Sequence, residues 1–131
     1  MTTTTPHAQP SLDQRRAGHA WQAIQRAKGC ESPKKFGGQA KKLPVRIMAS
    51  GLGQALAFLK AKKYAPGLIA ELSDWIATRI PPAASGPKDL LERVIKSDSD
   101  FLRRATDEVL AYLQWLNRFA EAEGLTEGEN E

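Results

Sequence analysis

Apolar residues recur three and four positions apart along nearly the whole chain, the spacing that turns one face of an α-helix toward a core. After Ser11, the residues Ala17, Ala20, Trp21, Ile24 and Ala27 fall on one stripe, with Arg15, Arg16 and Arg26 largely off it. Ser11 followed by Gln14 has the form of a capping box, and Gly29 supplies a stop. Ser32-Pro33 opens a second helix, Ser as cap and Pro in the first turn, which carries Lys34, Lys35, Phe36, Lys41 and Lys42. Pro44 lacks a backbone donor and disfavours helical geometry at Leu43, so a kink or a break is expected there. Gly51 and Gly53 either join two helices or permit close packing. Leu52, Leu56 and Leu59 then form a clean stripe flanked by Ala55 and Phe58, and the helix ends in Lys60-Ala61-Lys62-Lys63, where cations favour the negative end of its dipole.

Pro66 begins the next helix, with Leu68, Ile69, Leu72, Trp75, Ile76 and Ile80 inside. Pro81-Pro82 and Ala83 to Gly86 form the clearest loop. A short helix follows from Pro87 with Leu90, Leu91, Val94 and Ile95 inside. Ser97 and Asp100 stand as caps for the last and longest helix, whose stripe is Leu102, Ala105, Val109, Tyr112, Leu113, Leu116 and Phe119, ending near Gly124. No alternating strand pattern competes with this reading. The expectation is an all-α fold, a single compact bundle of five or six helices over residues 11–124. A disordered N-terminal tail is expected over residues 1–10 and an acidic tail over 125–131.

A length of 131 residues suits one domain with a core that needs no staples. The lone Cys30 has no internal disulfide partner, which fits a reducing cytosol. No apolar run reaches the roughly 18–20 residues that cross a bilayer. The Thr-rich N-terminus, without Lys, Arg or an apolar stretch, is not a signal peptide, so a cytoplasmic location is expected.

Charge changes the picture more than composition does. The formal net charge of +4 hides a bipolar chain: Met1 to Lys63 holds 12 Lys and Arg against 2 acidic residues, and Tyr64 to Glu131 holds 7 against 13. Solvated helices usually alternate signs to make i,i+4 pairs, and the first half does not. Arg15, Arg16, Lys34, Lys35, Lys41, Lys42, Arg46, Lys60, Lys62 and Lys63 are therefore candidate phosphate contacts for a polyanion, RNA in the first instance. Trp21 and Phe58 sit on apolar stripes and read as core, so a flat basic surface tracking a backbone fits better than base stacking.

Catalytic chemistry finds little support. His7 and His19 with one Cys fall short of a zinc set, Asp98 and Asp100 read as helix caps, and no metal or cofactor is expected. Gly51-Leu52-Gly53 lacks the preceding strand and third Gly of a dinucleotide fingerprint, and no nucleophile elbow or Walker motif occurs. His19 with Arg15 or Arg16 is the one combination that offers a base and a cation for RNA cleavage. A stand-alone RNA-processing enzyme thus remains as one alternative, and a helical adaptor for an acidic protein as another.

Ala40-Lys41-Lys42-Leu43-Pro44, then Ile47, Gly51-Leu52, Gln54 and Leu56-Ala57-Phe58, resembles the small all-helical subunit of the Cmr complex, the type III-B CRISPR effector. Arg16-Ala17 with Ala20-Trp21 and Ile24 is similar to the first helix of that family, so the likeness covers about residues 15–63. The resemblance implies a non-catalytic subunit of a ribonucleoprotein. Several copies would stack beside the backbone subunits that hold the guide RNA, with the basic face along the path of guide and target RNA and sequence reading left to base pairing. Target cleavage would belong to the backbone subunit and cyclic-nucleotide synthesis to the large subunit. The matching segment carries over Lys41, Lys42 and Arg46 as RNA contacts; the other basic positions rest on charge alone. Head-to-tail stacking would also set the acidic half against a basic neighbour.

Overall fold

A computed structural model describes residues 9–63 and 65–126, and among these every regular element is helical. The helices are α1 (Leu12–Lys28), α2 (Pro33–Ser50), α3 (Leu52–Lys62), α4 (Pro66–Arg79), α5 (Leu90–Lys96) and α6 (Ser99–Ala122). His7, most of the expected N-terminal tail and the acidic stretch from residue 127 lie outside the described residues.

The ends of the helices follow local chemistry. Ser11 caps α1 with the full reciprocal box: its Oγ accepts from the Gln14 N–H at 3.1 Å, and the Ser11 N–H donates to Gln14 Oε1 at 2.7 Å. The cap of α6 is Asp98, not Ser97 or Asp100; its carboxylate accepts from the Phe101 N–H at 2.9 Å. Helix α5 starts at Leu90 rather than Pro87, because the Asp89 carboxylate accepts from the Glu92 N–H and sets the first turn. At the far end of α6, Gly124 (φ 73°) donates to the Glu121 carbonyl and Leu125 to the Ala120 carbonyl, a Schellman closure.

Pro44 does not break its helix. α2 runs through it from Pro33 to Ser50, with Phe36, Ala40, Leu43 and Ile47 buried on one face before and after the proline. Burial of that continuous stripe outweighs the missing backbone bond. The break comes at Gly51, whose φ of 88° closes α2 and opens α3.

Helix α1 packs chiefly along α6, and α2 lies between α6 and α3. α4 touches α1, α3 and α6, and α5 leans on α3 and α4. The core holds Ile24, Leu43, Leu52, Leu56, Leu59, Leu68, Leu72, Ile76, Leu90, Leu113 and Leu116, each without appreciable solvent contact. Several stripes differ from expectation at single positions. On α6 the inward residue is Phe101, and Leu102 is exposed. On α5 Arg93 is buried, its guanidinium 4.5 Å from the Phe101 ring centroid, while Ile95 faces solvent. Trp21 is 39% exposed and lies edge-on to Phe119 at the rim of the α1–α6 seam.

Candidate nucleic-acid interface

The acidic half of the sequence meets the first helix inside the molecule. Arg16 donates to both oxygens of Glu108 at 2.6 and 3.1 Å, Arg26 to both oxygens of Glu71 at 2.7 and 2.8 Å, and Lys28 reaches Glu123 at 2.9 Å. Glu108 is the hub. It is almost fully buried, and it also accepts from Trp75 Nε1 at 2.9 Å and from Arg79 at 3.4 Å, tying α1, α4 and α6 together. Burial works to raise its pKa, but the hydrogen bonds from Arg16 and Trp75 outweigh that and hold the carboxyl below its usual range. Part of the bipolar charge is thus paired within the molecule, because α1 lies against α4 and α6.

What this pairing leaves is concentrated on α2 and α3. Lys34, Lys35, Lys42, Lys60, Lys62 and Lys63 are exposed and, among the described residues, make no ion pair; Arg15 on α1 is likewise exposed and unpaired. Seven- and four-residue spacings keep Lys34, Lys35, Lys41, Lys42 and Arg46 on one side of α2, interleaved with the exposed Val45 and Met48. α2 and α3 pack together so that Arg46 and Lys62 approach one ring: the Arg46 guanidinium carbon is 4.5 Å and the Lys62 Nζ 5.7 Å from the centroid of Phe58. Arg46 is fixed a second time by donating to Gln39 Oε1 at 2.6 Å. Phe58, expected in the core, is 38% exposed because it stands at the edge of the Leu52–Leu56–Leu59 stripe.

The ten candidate cations do not share one face. Lys35 and Lys63 border a hollow of about 460 Å³ between the end of α1 and the starts of α2 and α4, together with Arg26, Cys30 and Glu71. Lys60 and Lys63 border a second one toward α4. Lys63 caps α3 in the left-handed region (φ 56°). Arg16 is committed to Glu108.

Of the cations suggested beside His19 for RNA cleavage, Arg16 is engaged elsewhere. His19 Nδ1 lies 2.6 Å from the Tyr112 hydroxyl and Nε2 2.8 Å from Asp74, inside an aromatic box with Trp75 and Tyr112. Both ring nitrogens are engaged, and Arg16 points its charge at Glu108 instead. Burial, with the nearby Glu71 carboxylate, pushes the Tyr112 phenol well above its ordinary value, so it stays a neutral hydroxyl. Among the described residues no group of His, Cys, Asp and Glu gathers closely enough to hold a metal, and no helix is long and apolar enough to cross a membrane.

Sequence reasoning passed over Glu108, Asp74 and Tyr112 as a polar network, and treated Phe58 as core. Glu108 left a signal: it falls three residues after Ala105 and four before Tyr112, inside the apolar stripe of α6, where a carboxylate needs a partner.

The fold and its charge define a small all-helical protein with a cationic face on α2 and α3. Residues 12–123 match the model of the family described as CRISPR-associated protein (Cas_Cmr5), and the chain belongs to the Cmr5 family, small subunits of the type III-B Cmr complex. It is similar to the crystal structure of a CRISPR-associated Cmr5 family protein from Thermus thermophilus, with 28% identity and a TM-score of 0.73, over 90% of this chain and 100% of that one. No curated protein matches it.

Proposed function

We propose that this protein is a non-catalytic, RNA-contacting subunit of a cytoplasmic Cmr ribonucleoprotein. It packs beside the backbone and large subunits and lines the path of guide and target RNA with the cationic face of α2 and α3. The observation that carries this reading is the division of charge: α1 spends Arg16, Arg26 and Lys28 on internal carboxylates, while Lys34, Lys42 and Lys62 stay exposed without ion pairs. Phosphates are the partners such a surface attracts, without regard to sequence. Arg15, Lys34, Lys35, Lys41, Lys42, Arg46, Lys60, Lys62 and Lys63 are the contacts it offers, and Arg16 serves the fold.

Catalysis in the complex then falls to other subunits. Copies of this one stack, and the exposed Glu92 and Asp107 meet a neighbour's basic surface. Reversing both to Lys should lower the copy number seen in native mass spectra; an unchanged assembly would count against that contact.

The test of the reading is recovery of the tagged chain from its native cells, with mass spectrometry and small-RNA sequencing. A large complex with short guide RNAs is the expected result, and the chain alone without RNA overturns it. Lys42→Glu with Lys62→Glu should deplete the RNA while leaving the melting temperature in place. Removing one phosphate partner should lower the slope of log affinity against log salt by about 0.7 for a single strand.

A further inference from the structure

On the cationic face, between the last turn of α2 and the middle of α3, lies a cavity of about 240 Å³ lined by Arg46, Ser50, Gln54, Ala55 and Phe58. Its parts are a half-exposed aromatic ring, a guanidinium 4.5 Å from that ring's centroid and pinned behind by Gln39, a hydroxyl and a primary amide. We infer that this notch receives one nucleobase of single-stranded RNA. The base lies against the Phe58–Arg46 pair, its polar edge meets Ser50 and Gln54, and its flanking phosphates pair with Lys42 and Lys62. This rests on the RNA-contacting role proposed above and adds base stacking to it.

Three observations select this ligand. The space is smaller than the roughly 300 Å³ of an ordinary small-molecule pocket, so it takes part of a ligand rather than a whole free one. The ring that lines it is approached by two cations and stands on a helix pair whose exposed charges are positive, which suits an aromatic group carried on a polyanion. Arg46 is already immobilised at two points, so little side-chain freedom is lost when a base stacks on its plane. Every base has a π-face, so the site tolerates any sequence and leaves reading to base pairing. It also demands an unstacked base, so it prefers single strands to duplex.

Fluorescence anisotropy of the full chain with end-labelled oligouridylate, and with an abasic ribose-phosphate oligomer of the same length, tests this at low and moderate salt. The wild-type chain should bind the base-bearing strand about tenfold more tightly, the scale of one base on an aromatic ring. Phe58→Leu should abolish that difference and leave the salt slope unchanged, since it removes the ring and no charge. Equal binding of the two strands by the wild-type chain overturns the stacking site while sparing the phosphate face, and this comparison needs no variant. A difference that survives Phe58→Leu overturns it too. No binding of either strand at low salt overturns the phosphate face and the notch together.

Discussion

Glu108 shows how much one side chain decides here. A carboxylate in that position would be costly alone; with Arg16, Arg79 and Trp75 around it, it becomes the tie between three helices. Glu108→Ala should cost about 3 kcal/mol, because it strands two guanidiniums at a half-buried site, and lower the melting temperature by roughly 10 °C. The pH dependence follows from its depressed pKa. The stabilisation is fully present above the ordinary carboxyl value of 4.5 and is lost as pH falls through the lower folded value. Thermal melts from pH 7 down to pH 3 should therefore fall more steeply for the wild-type chain than for Glu108→Gln. Gly37 is decisive for the opposite reason, since a Cβ there would lie 1.8 Å from the Leu125 carbonyl oxygen. Gly37→Ala should displace the buried Leu125 and destabilise by about 1–3 kcal/mol, the cost of overpacking, seen as a lower urea midpoint.

At the scale of helices, the continuity of α2 is the informative case. Pro44 offers no N–H to the carbonyl of the buried Ala40, yet the helix holds because apolar contacts are made on both sides of the gap. Pro44→Ala should restore that bond and raise stability by about 1 kcal/mol or more; an unchanged or lower melting temperature would mean that the proline ring itself packs usefully. The same helices mark what a sequence makes legible. The Ser11–Gln14 box, the stripes of α3 and α4 and the long α6 could be read directly, since each depends on residues within one or two turns. The choice of Phe101 over Leu102 as the inward residue, and of Phe58 as a rim residue, depends on which helix lies opposite. That partner is set by tertiary packing, which periodicity does not encode. The basic segment was legible as charge, but its division into paired α1 and unpaired α2–α3 required knowing that α1 lies against α4 and α6.

For the molecule as a whole, the distinction between committed and uncommitted cations is open to experiment. Arg26→Gln combined with Glu71→Gln removes a charge pair without changing net charge, and it should leave RNA affinity and salt slope within about twofold of the wild type, whereas loss of Lys42 and Lys62 should not. The arrangement that commits those charges also has a consequence for synthesis. The chief partner of α1 is α6, the last of the six helices to leave the ribosome. At roughly 5–20 residues per second, α1 waits on the order of ten seconds before its seam partner emerges. During that interval the side of α1 that faces α6 lacks its main cover, and Arg16 lacks Glu108 and keeps only Asp13 on its own helix. A nascent chain halted before α6 should be bound by chaperones and cut by protease within α1, and a chain extended through Leu125 should resist both.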